Sequence, residues 1–289
     1  MRELLAAQRR PVHEVWMMEG TDPAAILREI QSLARAGHVP VRLVSQRQIQ
    51  QVQASEAPQG VIAFAEPLTE ADLSDLVGLM PAAATSPNTR GRIAEIEPEG
   101  GETADAEAEE GRPEGGDLTP AESGSPEQAG RRAKAGKMAF LVVVDGVTDP
   151  QNLGALLRSA ECAGVTGVVL PRHRSAHVTP TVTKVAAGAI EHVSIAVVPG
   201  VPGALQELER LGVWTVGLDE RGPEPVFNLG LGARPVALVI GAEGRGLSPL
   251  SRQRCDVLAR IPLHGAIDSL NVSAAGAVAM FEVARQRAL

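Results

Sequence analysis

From residue 138 to the end of the chain, short apolar runs alternate with longer segments whose apolar residues recur every three or four positions. The short runs predict strands and the longer segments predict helices. The predicted strands are 140–144, 167–170, 193–198, 213–218, 235–240 and 257–261. The predicted helices are 152–163, 180–187, 201–211, a short one near Ser248, and 272–287. Strands that alternate with helices in this way indicate a parallel sheet with helices on both faces.

The first of these strands, 140–144, reads Phe-Leu-Val-Val-Val without any polar alternation. Such a run is typical of a strand that is buried on both faces. Ligands of open parallel sheets bind beyond the carboxyl ends of the strands, so the loops that follow the strands are where we expect function.

The first 67 residues predict a small α/β domain of their own. Its predicted strands are 15–18, 39–44 and 60–65, and its predicted helices are 22–36 and 46–53. Asp22 and Pro23 suit the cap and first position of the earlier helix. No catalytic constellation is present here, so a binding or dimer-forming domain is the default expectation.

Residues 68–137 predict a linker. A short helix is expected at 70–79, but 83–137 is rich in Ala, Glu, Gly, Pro, Ser and Thr and has almost no large apolar residue. Such a composition does not bury enough surface to offset the entropy of ordering, so we predict disorder.

The net charge of −8 comes largely from that linker. Residues 93–130 hold 12 acidic residues and one basic residue, Arg112, and the rest of the chain has 26 Lys and Arg against 23 Asp and Glu. The remainder is therefore mildly basic, which permits RNA binding without requiring it. With no Tyr, four Phe and two Trp, a binding mode built on bases stacked over aromatic platforms is not expected.

The rest of the composition indicates a cytoplasmic protein. No apolar run approaches the roughly 18 residues of a membrane span, and the first residues do not continue into a signal-peptide pattern. The two cysteines, Cys162 and Cys255, are expected to be reduced thiols. His173 and His177 are spaced like metal ligands but lack a third ligand nearby, so no metal is expected.

Two loops that follow predicted strands carry chemistry. In the first, Asn152 is placed to cap the following helix and Arg158 lies six residues further on; either Arg158 meets a phosphate or carboxylate, or it extends into solvent. The second, 241–249, has the pattern G-x-x-G-x-G. It is neither the dinucleotide fingerprint nor a P-loop, which argues against a nicotinamide-dependent oxidoreductase or an ATPase. Glu243 there suits a ligand with hydroxyls or a positive charge.

A third loop follows strand 257–261. Ser269 and Asn271 stand where the last helix should begin. Either they only cap that helix, or they present polar groups to a ligand at its N-terminus.

Together and in this order, the three loops closely resemble the three motifs of the SpoU-type (TrmH-like) RNA ribose 2′-O-methyltransferases. The matching residues are Asn152 and Arg158, then 241–244 with 246–248, then 261–263 with 269–273. The resemblance covers 139–289, and the N-terminal domain is similar to the ribosomal-protein-like (L30e-like) RNA-binding domain of many bacterial members. The long acidic tract departs from the family, whose linker is usually brief.

The resemblance implies a deep trefoil knot of the SPOUT class in the C-terminal domain and S-adenosylmethionine as methyl donor. Backbone groups of Gly241, Ile261 and Leu270 would hold its adenine and ribose, and Leu218 would line the same pocket. Glycine at 241 permits the close approach of backbone that such a site needs.

The resemblance also assigns catalytic positions. Arg158 matches the residue often described as a base in this family, but a guanidinium keeps its protons in proteins. We therefore favour Arg158 as the group that orients the substrate phosphate and stabilises developing alkoxide charge. Asn152 would orient Arg158 or the ribose, Ser269 and Asn271 would position ribose and loop, and Glu243 would fix the knot loop or an arginine.

Members of the family generally work as homodimers whose RNA site uses both subunits. The leading hypothesis is methylation of a guanosine in 23S ribosomal RNA. A tRNA substrate is the alternative within the family, and an RNA-binding ribosome-assembly factor without catalysis is the alternative outside it.

Overall fold

The computed structural model describes residues 1–20, 25–52, 60–78 and 138–288. Its N-terminal part contains helix α1 and then the predicted strand and helix order. The elements are α1 Arg2–Ala7, β1 Val12–Met18, α2 Ala25–Ala36, β2 Val41–Val44, α3 Gln46–Val52 and β3 Val61–Ala65. Strand β1 is central, with β2 parallel on one side and β3 antiparallel on the other. The small α/β domain is thus confirmed, whereas α1 was not predicted, and the predicted cap at Asp22 and Pro23 lies outside the described residues.

A short helix, α4 Leu73–Val77, follows this domain. Its buried side chains Leu73, Leu76 and Val77 belong to a hydrophobic cluster of the C-terminal sheet, and the backbone N–H of Ala71 donates to the carbonyl of Ile195. This helix lies within the predicted helix 70–79. The predicted disorder of 83–137 and the acidic tract 93–130 lie outside the described residues.

The C-terminal part follows the predicted alternation of strands and helices. The elements are β4 Phe140–Asp145, α5 Pro150–Cys162, β5 Gly167–Pro171, α6 Pro180–Val185, β6 Ser194–Val198, α7 Val201–Arg210, β7 Trp214–Leu218, β8 Glu224–Pro225, β9 Val236–Gly241, α8 Pro249–Arg254, β10 Val257–Arg260 and α9 Val272–Arg287. The seven strands are all parallel, in the order β6-β5-β4-β9-β7-β10-β8. The predicted α/β class is confirmed, and only the two-residue strand β8 was not predicted.

Strand β4 is the centre of the hydrophobic core. Phe140, Val142 and Val144 point into one buried cluster, while Leu141 and Val143 point into a second cluster on the other face. The side chains of a strand alternate between the two faces of its sheet. The unbroken apolar run at 140–144 therefore supplies both layers, as its sequence predicted.

The strand order changes direction between β4 and β9. From β4 the chain builds outward through β5 and β6. The later strands lie on the other side of β4, in the spatial order β9-β7-β10-β8. Such a switch point opens a crevice at the carboxyl ends of the strands. Asp145 and Gly241 pair there, at the ends of β4 and β9.

The segment 219–232, which follows β7, contacts both elements at the C-terminus. The N–H of Asp219 donates to the carbonyl of Ala259, and the Arg260 guanidinium donates to the carbonyl of Gly222 at 2.7 Å. On α9, the Gln286 amide accepts from the N–H groups of Leu231 and Gly232. The trefoil knot that the resemblance implies stays a prediction.

Candidate active site at the carboxyl edge of the sheet

Asp149 caps helix α5. Its carboxylate accepts from the backbone N–H groups of Gln151 and Asn152 at 3.0 and 3.3 Å. Pro150 occupies the first helical position, where its missing N–H costs nothing. The prediction that Asn152 caps this helix is therefore wrong, because Asn152 lies one turn inside it.

The Asn152 side chain is instead buried and joins the three motif loops. Its Nδ2 donates to Glu243 Oε2 at 3.2 Å, and its Oδ1 accepts from Asn271 Nδ2 at 2.9 Å. Both ends of the amide are thus engaged, and its orientation is set because only the NH₂ end donates to a carboxylate. Asn152 is bonded to Glu243 and Asn271 rather than to Arg158, and its alternative role, orienting the ribose, stays a prediction.

Asn271 is the N-cap of α9, which is one of the two roles that the sequence left open, and a contact with a ligand stays a prediction. As the N-cap of α9, its Oδ1 accepts from the backbone N–H of Ser273 at 2.9 Å and from the Ser273 hydroxyl at 2.6 Å. Its Nδ2 continues to Asn152. Three side chains, Ser273, Asn271 and Asn152, therefore each donate to the next in one direction, and the Glu243 carboxylate accepts the last bond. The part of Ser273 in this relay was not predicted.

The glycine-rich loop between β9 and α8 is a tight turn. Ala242 and Gly246 exchange two backbone hydrogen bonds of 2.9 and 2.8 Å, and Gly244 and Gly246 have φ of +73° and +64°. A Cβ at Gly241 would lie 2.1 Å from the carbonyl carbon of Gly246. Gly241 was expected to allow a ligand to approach its backbone closely. In the structure, the group that approaches it closely is the backbone of the same loop at Gly246.

A further carboxylate ties this turn to the end of β4. Asp145 Oδ2 accepts from the N–H of Ser248 at 2.8 Å, and the Ser248 hydroxyl lies 2.8 Å from that of Ser251 and caps α8. Asp145 was not singled out from the sequence, where an acidic residue at a strand end carries no distinctive signal. The hydrogen bond between Asp145 and Ser248 holds the glycine-rich turn at the switch point between β4 and β9.

Three of the residues expected to hold the methyl donor lie at the ends of neighbouring strands. Leu218 ends β7 and Gly241 ends β9, while Ile261 directly follows β10. These strands are adjacent in the order β9-β7-β10, and the half-buried side chains of Leu218 and Ile261 pack on the core. Leu270 is 42% exposed in the loop that precedes α9.

That loop, 263–270, connects β10 to α9 and offers unpaired backbone groups. Every residue in it is exposed, and within the described ranges no hydrogen bond to its backbone is recorded. Ser269 lies here, exposed and without a recorded partner.

Arg158 lies on the third turn of α5, and its side chain is exposed. In the part of the chain that the structure describes, its guanidinium makes no recorded hydrogen bond or ion pair. Its charge is therefore not neutralised by a protein carboxylate. This exposed position is compatible with both roles that the sequence left open for Arg158, a contact with a ligand phosphate or carboxylate and an arginine that extends into solvent.

Two negative findings complete the geometry, and both concern only residues 1–20, 25–52, 60–78 and 138–288. No group of three or more His, Cys, Asp or Glu side chains is placed to hold a metal ion. No helix is long and apolar enough to cross a membrane.

Two families match the chain. Residues 139–281 match the SpoU rRNA Methylase family, and residues 2–71 match the family described as RNA 2′-O ribose methyltransferase substrate binding. The two matches are separated by residues 72–138 and together cover well over half of the chain.

Curated relatives match about half of the chain. The chain is 46% identical over 155 residues to a 23S rRNA (guanosine-2′-O-)-methyltransferase RlmB of Xylella fastidiosa, covering 54% of this chain and 62% of the relative. It is 40% identical over 148 residues to YacO of Bacillus subtilis, named as a TrmH family tRNA/rRNA methyltransferase, covering 51% and 59%. The chain thus spans about 60% of the length of the relatives it matches.

Solved structures share the fold at low identity. The SpoU methyltransferase AviRb of Streptomyces viridochromogenes, in complex with AdoMet, superposes with a TM-score of 0.67 at 21% identity over 99% of this chain and 88% of that one. An AdoMet-bound rRNA methyltransferase of Sinorhizobium meliloti gives a TM-score of 0.65 at 19% identity over 99% and 85%. At such identities the likeness establishes the fold alone.

Proposed function

Since the chain belongs to the SpoU rRNA methylase family, we propose that it transfers a methyl group from S-adenosylmethionine to a ribose 2′-hydroxyl of RNA, at a guanosine of 23S ribosomal RNA. The observation that carries this proposal is the hydrogen-bonded set Asn152, Glu243 and Asn271. It joins the three motif loops at the switch point of the sheet, where ligands of such folds bind. The curated relatives named for 23S rRNA support the substrate.

The residues at the strand ends fit an adenosyl group. Leu218 and Ile261 supply apolar surface for the adenine ring, and the unpaired backbone of 263–270 supplies donors and acceptors for its nitrogens and the ribose hydroxyls. Leu270 closes this loop just before α9. Gly241 would contribute its backbone, since the tight turn leaves no room for a side chain there.

When bound, S-adenosylmethionine would supply an electrophilic methyl group on a sulfonium. The protein must then align the ribose hydroxyl with that carbon and assist the loss of its proton. Arg158, exposed and without a recorded protein partner, is suited to hold the phosphate beside the target ribose and to stabilise the developing alkoxide. The proton then passes to solvent or to a neighbouring phosphate.

The other predicted catalytic residues act around this step. Asn152 positions Glu243 and Asn271 through its two hydrogen bonds and is a positioning residue. Glu243 anchors the glycine-rich turn to α5. Ser269, which has no recorded partner, is free to donate to or accept from a ribose hydroxyl, and Asn271 holds the start of α9 beside it.

A second copy of the chain is the expected partner. Helix α9 presents an exposed stripe of Ala274, Val278, Phe281 and Arg285, with Val278 37% and Phe281 50% exposed. Positions spaced by four, three and four residues share one helix face. Because α9 begins directly after Asn271, a dimer across this stripe would bring the second subunit close to the site.

Phe281→Glu should shift the molar mass measured by light scattering from dimer to monomer.

The experiment that tests the function is a map of ribose methylation across all RNA in cells that lack the protein. It is repeated after adding back wild type, Arg158→Ala, or Arg210→Gln as a matched exposed-arginine control on α7. We expect one site in 23S ribosomal RNA to vanish and to return with wild type and control only. A lost site in tRNA would refute the ribosomal substrate. If no site changes, the result favours the alternative of an RNA-binding assembly factor without catalysis. The predicted location is the cytoplasm, where either RNA is found.

A further inference from the structure

The loop 172–177, between β5 and α6, carries a group of basic side chains that the proposed mechanism does not use. Arg172, His173, Arg174 and His177 are all exposed. Over the described ranges, none of these four side chains makes a recorded hydrogen bond or ion pair. Arg172 and Arg174 therefore have no recorded carboxylate partner among the described residues and are available to an external anion.

The loop is attached at both ends to the carboxyl edge of the sheet. The N–H of Arg172 donates to the carbonyl of Val198 at the end of β6, at 2.7 Å. On the other side, the Ser175 hydroxyl and the N–H of Ala176 both donate to the carbonyl of Val147, at 3.0 and 2.8 Å. Val147 lies in the first motif loop. The basic loop is therefore held beside the loop that leads to Asn152 and Arg158.

The backbone of Arg174 is in the left-handed region, with φ of +59°. In the described chain Gln8, His38 and Ala187 are the other non-glycine residues with positive φ, and each follows a helix C-terminus, where this conformation is common. Arg174 ends no helix. Strain of this kind is retained where surrounding contacts impose it, and it is concentrated at binding sites.

We propose that this loop binds the phosphate backbone of the RNA next to the methylated ribose, with Arg172 and Arg174 as phosphate ligands. The proposal rests on the proposed function. A guanidinium presents a planar fork of donors that matches phosphate oxygens. Because the loop is already fixed by Val198 and Val147, little ordering remains to be done when the RNA binds.

The test measures RNA affinity as a function of salt. The probes are a 23S ribosomal RNA transcript and an unrelated RNA hairpin, titrated by filter binding between 50 and 200 mM KCl. The variants are Arg172→Gln, Arg174→Gln and the double variant. Arg210→Gln is the matched control: it removes the same charge from an exposed site at the end of α7, which in a parallel sheet points to the amino edge.

Each lost phosphate contact lowers the slope of log K against log salt by about 0.7 to 0.9. We expect a decrease near 1.5 for the double variant on both probes, with a loss of affinity of about 10-fold or more at the lowest salt, and no change for Arg210→Gln. Equal slopes for the double variant and the control would overturn the proposal.

Arg174→Gly separates binding from structure. Glycine tolerates positive φ, so this variant should melt at a higher temperature than wild type while its salt slope falls by about 0.7. A slope that stays at the wild-type value would refute the phosphate contact at this residue.

Methyl transfer by wild type is measured on the same transcript. If wild type transfers the methyl group but the salt slopes of the variants equal that of wild type, the phosphate site is refuted and the proposed enzymatic function stands. If wild type transfers no methyl group and the slopes still fall, the basic loop binds RNA and the proposed enzymatic function has failed.

Discussion

The hydrogen bond between Asn271 Nδ2 and Asn152 Oδ1, 2.9 Å long, connects the N-termini of α9 and α5 across 119 positions of sequence. Alanine at each position, singly and together, tests whether the motif loops form one unit. Asn152→Ala removes this bond and the bond to the Glu243 carboxylate, which together cost about 2–3 kcal/mol of unfolding free energy. Asn271→Ala removes this bond and the α9 cap, each worth about 1 kcal/mol.

Both single changes remove the hydrogen bond between Asn271 and Asn152, so the losses of unfolding free energy should not add in the double variant. We expect a coupling free energy of about 1 kcal/mol, measured by urea unfolding followed by circular dichroism. Ser269→Ala is the control: its exposed side chain has no recorded partner in the described chain, and its effect should stay within about 0.5 kcal/mol. Additive effects, with a coupling under about 0.3 kcal/mol, would refute the reasoning.

The remaining predictions concern the supporting structure. Gly241→Ala places a Cβ against the Gly246 backbone and should lower stability by about 3 kcal/mol or more; an unchanged melting temperature would contradict that contact. Burial raises the pKa of the Cys255 thiol to about 12, so Ellman's reagent should label only the exposed Cys162 in the native protein, and two native thiols would exclude this. Gln286→Leu leaves two backbone N–H groups of the loop before β9 without their acceptor. It should cost about 2–4 kcal/mol, and a urea midpoint equal to wild type would argue that the amide does not hold the loop.

Part of the site was predictable because the motif residues follow strands. Asn152, Glu243 and Asn271 were all singled out from the sequence, and the structure joins them by hydrogen bonds. Leu218, Gly241 and Ile261 were expected in one pocket and lie at the ends of adjacent strands. The roles of these residues in binding and catalysis remain predictions, as do those of Arg158, Ser269 and Leu270.

Other features of the site were not predicted from the sequence, although Asp149 and Pro150 form the same cap pattern as Asp22 and Pro23. Asp149 rather than Asn152 caps α5, because the chain enters the helix three residues earlier than the apolar pattern indicated. The Asp145 contact to Ser248 depends on β4 and β9 being neighbours, and sequence spacing carries no information about which strands pair. Helix α1 was not predicted because it is a single short segment.

The sequence by itself determined the elements, since hydrophobic periodicity and capping residues are local properties of the chain. It therefore determined the two α/β parts, the strand 140–144 buried on both faces, and the family through its three motifs. Only the tertiary structure decided the strand order, the relay from Ser273 to Glu243, and the contact of Gly241 with its own turn. These depend on contacts between residues far apart in sequence, which form only when the sheet places the strand ends side by side.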